Sequence, residues 1–232
     1  MSLMTRIEPQ PNLTEQAVRA LRREIVACRL APGETISETL MSERFAFGRA
    51  AMRSALARLA DEGLVQAVPR RGWVVSVVTI RDIHEVFDLR LMLEPEAARR
   101  AAAPHAGLER LRQLDDACAT GYRPEDPDSA LDFLAVNREF HVAVAELAGN
   151  QRLARQIGRL LDESTRMLVL GLSTRDRSGE MAHEHRALVQ AMADHNPDAA
   201  ATIMHQQVSA SRDMVLTALT GPRSTLVVSE FA

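Results

Sequence analysis

The hydrophobic period of this 232-residue chain changes once, between Gly63 and Thr79, and that change limits the folds it can adopt. Before it, apolar residues recur at helical spacing in three short segments, expected at 14–30, 38–45 and 49–61. Thr14 and Ser37 are the expected N-caps, and Leu40, Met41 and Phe45 face inward from the second segment. Pro32-Gly33 and Ala46-Phe47-Gly48 separate the segments. Across the change, residues 64–68 and 73–78 are rich in β-branched side chains, and Pro69-Arg70-Arg71-Gly72 lies between them. This predicts a hairpin with a basic tip. Beyond Thr79, which forms a capping-box pattern with Asp82, only helical signals remain. Helices are expected at 80–103, 107–119, 129–148, 151–171, 180–194 and 198–220. The layout predicts a mainly α protein: a winged helix-turn-helix over 1–78 and an antiparallel all-α bundle over 79–232. The tail from Gly221 is left undecided between fraying and packing on a partner.

Charge divides along the same line. Every one of the 28 basic residues is arginine. Residues 1–80 carry 11 Arg against 8 acids, and the rest carries 17 Arg against 23 acids. A cationic front and an anionic back suit different partners. Aromatic residues are only 3%, so the cores must be built from Leu, Ala, Val, Ile and Met. No apolar run approaches the roughly 20 residues of a membrane span, and the N-terminus has no secretory pattern. Cys28 and Cys118 have neither metal-ligand spacing nor a disulfide framework. Together these features predict a cytoplasmic protein.

In a helix-turn-helix the second helix of the pair enters the major groove, and its first residues reach base edges. Here that helix starts at Arg49. Arg53 lies four residues on, on the same face, with Met52, Leu56 and Leu59 opposite. A pair of arginines is usually a solvated helix face; the ordered set of segments, turns and basic hairpin is far more specific. That set resembles the DNA-binding domain of the GntR family of bacterial regulators. The matching segments are 21–33, 49–65 and Arg70-Arg71-Gly72. The resemblance implies double-stranded DNA contacts at Thr39, Gly48, Arg49, Ala50, Arg53, Arg70, Arg71 and Gly72. The chain departs from the family at several of these. The family commonly has Arg at Thr39, Ser or Thr at Gly48, Thr at Ala50, Pro or Thr at Ala51 and Glu at Ser54. DNA binding is expected to persist on a different operator.

The back half resembles the FadR-type branch of that family, with its all-helical ligand-sensing (FCD) domain. The resemblance rests on Asp88-Leu89-Arg90 with Glu94, on Asn137-Arg138-Glu139-Phe140-His141, on Ala148-Gly149-Asn150, and on Glu184-His185-Arg186-Ala187-Leu188. Met204-His205-Gln206-Gln207 completes it. Many members of this branch bind a divalent metal through an Asp and a His four residues apart plus two later His, which implies a Zn or Ni ion here. The corresponding positions here are Asn137, His141, His185 and Gln207. His205, the other possible fourth ligand, falls about 200° away on its helix. Two neutral amides imply a weakened metal site, or direct binding of a small organic acid paired with Arg90. An effector-responsive homodimer on a pseudo-palindromic operator, most often a repressor, is the function implied. The alternatives are an architectural DNA-binding protein, favoured by a filled Leu-rich interior, and a metal-dependent bundle enzyme. The latter has only the single element Glu180-x-x-His183, where such sites need two, so no enzyme is expected.

Overall fold

The computed structural model describes residues 12–103 and 107–220; the tail from Gly221 and the expected break at Pro104 lie outside them. The chain divides into two compact units, 1–77 and 78–232.

In the first unit, α1 (Leu13–Val26) starts one residue earlier than the periodicity suggests. Its cap is Asn12, not Thr14. The Asn12 side chain accepts from the Glu15 amide, and the Glu15 carboxylate accepts from the Asn12 amide, closing a capping box. The helix stops before Cys28, which turns with φ +56°. Ser37 caps α2 (Glu38–Phe45) by accepting from the Leu40 amide. Of the three residues expected inside, Met41 alone is fully buried; Leu40 is 55% exposed, because an eight-residue helix has room for one narrow inward stripe. α3 (Arg49–Asp61) buries Met52, Ala55, Leu56 and Leu59 against α1, where Ala17, Val18, Leu21 and Ile25 meet them.

A strand absent from the periodicity, β1 (Thr35–Ile36), joins the expected hairpin β2 (Val65–Val68) and β3 (Gly72–Val75). The antiparallel sheet runs β1-β3-β2, pairing Thr35 with Val74 and Val65 with Val75. Two residues are too short for alternation to register, so β1 could be found only through its partner strand. Its approach explains Gly72. With φ +90°, an added Cβ would lie 3.1 Å from the Ile36 carbonyl oxygen.

The second unit is built of six described helices: α4 (Ile80–Ala101), α5 (Glu109–Cys118), α6 (Pro127–Leu147), α7 (Gln151–Leu172), α8 (Ser178–Ala193) and α9 (Pro197–Thr220). The Thr79–Asp82 capping box opens α4 as expected. Asp126 and Asn150 cap α6 and α7 through their side chains, which moves the start of α6 ahead of the apolar pattern. α9 lies along α4 and also packs on α7 and α8, while α6 packs on α4, α5 and α7. Ala97, Ala145, Ala154, Ile157 and Leu161 form one apolar cluster, in which the three alanines, one from each of α4, α6 and α7, let these helices approach closely.

The turn between α2 and α3 carries an avoidable strain: Ala46 sits in the left-handed region at φ +56°. Ala46→Gly is expected to raise the free energy of unfolding by about 1 kcal/mol. Gly72→Ala, strained and crowded by Ile36, should lower it by at least as much; denaturant midpoints of the two variants check both.

Candidate nucleic-acid interface and buried polar site

In the first unit the residues expected at DNA all reach solvent. Arg49, Ala50 and Arg53 are exposed on α3, with Ser54 beside them, and the buried Met52, Leu56 and Leu59 hold that face outward. Gly48 caps α3 with no side-chain bond, so the first amides of the helix keep their donors free of a cap. Thr39 is exposed on α2. Arg70, at φ +66°, and Arg71 and Gly72 form the exposed hairpin tip, closed by the Arg71 amide donating to the Val68 carbonyl at 3.0 Å. The sequence did not foretell that Arg53 is engaged. Its Nε donates to Glu38 Oε2 at 2.9 Å, and Nη2 lies 2.9 Å from the same oxygen. Arg53 is 70% exposed, so the pair adds little stability. It does fix where the guanidinium points, and it leaves Arg49 as the cation at the start of α3.

The helical unit has a polar interior. Arg90 and Glu94, four residues apart on α4, are each 2% exposed. Arg90 Nε donates to Glu94 Oε1 at 2.6 Å, and Nη1 donates to Ser164 Oγ of α7 at 3.1 Å. The Ser164 hydroxyl in turn donates to the Leu161 carbonyl at 3.1 Å. On α6, His141 Nδ1 lies 2.5 Å from the second Glu94 oxygen. Burial alone would push the Glu94 carboxyl up; the charges of Arg90 and His141 outweigh it and hold it at about 2. His185 of α8 stacks on Phe140, ring centroids 3.9 Å apart, and meets the His141 ring edge-on, centroids 5.7 Å apart. Burial, and then the neighbouring His141, hold His185 well below the usual imidazole range, so it is neutral.

Asn137 lies one turn before His141 on α6, and Gln207 lies on α9; both are buried, whereas His205 and His183 are exposed. Both nitrogens of His185, both amide atoms of Gln207 and Oδ1 of Asn137 are buried without a hydrogen-bond partner. The structure thus keeps the expected polar residues inside and removes His205 from the site. Glu94 is the member that sequence reasoning used only as part of the resemblance. Its spacing of four from Arg90 was the available signal.

Two features bear on the expected ligands. The charge of Arg90 is already answered inside the protein by Glu94. A divalent ion does not fit the residues present. The only carboxylate on the triad is committed to Arg90 and His141, and the remaining donors are two imidazoles and two amides. Among the described residues no group of three or more His, Cys, Asp or Glu side chains could hold a metal. The single enzyme-like element also dissolves: Glu180 is bound by Arg175 and Arg177, and His183 faces solvent.

Replacing Glu94 by Gln leaves a buried guanidinium without its counter-charge, and a loss of about 3–5 kcal/mol is expected. The depressed Glu94 pKa also means that its stabilisation is complete above about pH 4.5 and is lost as pH falls towards 2. Acid unfolding followed by circular dichroism should show less of that limb in Glu94→Gln.

Residues 13–75 match the pattern of the bacterial regulatory proteins of the gntR family, and residues 85–210 match the FCD domain. The HTH-type transcriptional repressor RspR of Escherichia coli is 37% identical over 44% of this chain. That stretch spans 45% of the length of RspR, so less than half of that relative is matched. The HTH-type transcriptional repressor GlaR of the same organism is 24% identical, over 88% of this chain and 96% of its own. The fold recurs in a transcriptional regulator GntR from Rhodococcus sp. RHA1, with a TM-score of 0.72 at 22% identity over 90% of this chain and 99% of that one. It recurs also in E. coli McbR/YncC, with a TM-score of 0.67 at 19% identity over the same shares of the two chains. No described helix is long and apolar enough to cross a membrane. A winged unit with an outward arginine face, followed by a unit of six described helices with a polar heart, carries both patterns over more than half its length: the chain belongs to the GntR family of bacterial transcriptional regulators, with an FCD domain.

Proposed function

We propose that this regulator is a homodimeric repressor that binds a pseudo-palindromic operator in the cytoplasm and is released or tightened by a small ligand held in its helical unit. The observation that carries the reading is the division of α3, with one face locked into the core and the other presenting Arg49, Arg53 and Ser54 to solvent. Arginine can grip the guanine edge with two hydrogen bonds, and the wing arginines can hold phosphates in the flanking groove. Two-fold operators mirror two-fold proteins, which supports the dimer. The unpartnered buried polar atoms of the helical unit speak for a ligand and against a purely architectural protein, whose interior would be filled. Coupling between such a site and DNA is typically about 1–3 kcal/mol, or 5–150-fold in affinity.

Selection from a random duplex pool with the full chain, followed by sedimentation of the complex, tests the whole reading. An enriched two-fold sequence bound by two copies is expected; no enrichment, or a bound monomer, overturns it. On the selected site Arg49→Ala should lose about 1–3 kcal/mol of binding and relax preference at one base position. Arg71→Ala should weaken all duplexes alike and reduce the salt slope by about 1.

A further inference from the structure

We propose that the buried site of the helical unit admits an uncharged, hydrogen-bonding ligand and excludes both free carboxylates and divalent metals. This rests on the reading that the helical unit holds the effector, and names the chemistry of that effector.

The argument is one of charge and of donor count. Every formal charge facing the triad is answered within the protein. Arg90 lies against Glu94, and Glu94 spends its second oxygen on His141. The next buried cation, Arg177, donates to Glu180 and Glu184, both at 2.7 Å. Glu184 in turn is near enough to His141 to feel its charge. Arg166 lies two residues beyond Ser164, about 200° around α7, and so points away from Arg90. A carboxylate entering here would meet no cation without its own acid, and would sit beside Glu94. A divalent cation would meet no uncommitted carboxylate on the triad.

On Asn137, His185 and Gln207 what remains without partners is neutral; Arg177 Nη1 and Glu184 Oε2 also lack a hydrogen-bond partner, but those two side chains answer each other's charge through Arg177 Nη2 and Glu184 Oε1 at 2.7 Å. Gln207 offers an acceptor oxygen and an NH₂ with two donors. Neutral His185 offers one N–H and one acceptor nitrogen, and Asn137 Oδ1 offers an acceptor. Each of these side chains is at least 97% buried; Gln207 is on α9, which packs on α8, the helix of His185, and on α4, the helix of Arg90 and Glu94. The Phe140 ring stacked on His185 adds an apolar wall. Mixed donors and acceptors beside an aromatic surface suit an amide, a lactam or a polyol. They suit an acid poorly, since an acid needs donors only.

Thermal unfolding of the full-length protein tests this with matched probes: acetate against acetamide, benzoate against benzamide, and citrate, Zn²⁺ and Ni²⁺. At least one amide is expected to raise the unfolding temperature of the wild type by about 2 °C or more, and to lose that effect in the double variant Asn137→Ala, Gln207→Leu. A rise with any acid that disappears in Arg90→Gln overturns the proposal. So does stoichiometric Zn²⁺ or Ni²⁺ retained after dialysis by the wild type and lost in His141→Ala. If no probe shifts the wild type, Glu94→Gln decides. Freed from its internal carboxylate, Arg90 should then let acetate raise the unfolding temperature of that variant, and indifference to acetate counts against the proposal. A random duplex pool that yields nothing would sink the regulator reading and leave the charge result standing. Anion or metal binding by the wild type would sink the present proposal and leave the regulator reading standing.

Discussion

A buried guanidinium has to be answered where it stands, and in the helical unit that requirement organises most of what surrounds it. Arg90 takes one oxygen of Glu94, Glu94 takes His141, and Ser164 closes the remaining side. These four charged or polar groups come from α4, α6 and α7, so satisfying one side chain aligns three helices. Removing water strengthens each contact and makes each omission costly. The triad therefore works as a register device as well as the wall of a site. The Ala97–Ala145–Ala154 contact lets the same helices close around it.

The winged unit follows a different logic. Its core is wholly apolar, and its polar side chains serve the surface. Met52, Ala55, Leu56 and Leu59 anchor α3, so the direction of Arg49 is set by packing on its far side and not by any bond it makes. Glu38 then orients Arg53 from α2. On the proposed reading, a surface whose backbone is already fixed by packing and whose Arg53 is already paired reduces the ordering cost of binding DNA. The missing side-chain cap at Gly48 leaves backbone donors at the end of the helix that faces the proposed operator.

Much of the architecture was legible in the periodicity. The three front helices, the basic hairpin and the six back helices follow from spacing 3.6, spacing 2 and the Pro and Gly breaks between them. Errors gathered at ends and short pieces. Asn12 caps α1 in place of Thr14, because an N-cap is chosen by the geometry of the preceding residue and not by the apolar pattern. The strand β1 is invisible alone, since its two residues become a strand only by pairing with β3. Leu40 is outside because the short α2 buries only a narrow stripe at Met41.

At the site the division is sharper. Local sequence determined that Asn137 and His141 share a face, that His205 and Gln207 point apart, and that Arg49 and Arg53 point together, because helix geometry alone sets angles of 100° per residue. Tertiary structure alone decided who satisfies whom. Arg90 belongs to Glu94, Arg53 belongs to Glu38, and His185 lies on Phe140 with both nitrogens unpartnered. Partners drawn from different helices, and the burial that makes a charge need one, exist only once the chain has packed. A list of residue types can therefore name the members of a site, while its charge, and with it the ligand it can accept, is a property of the fold.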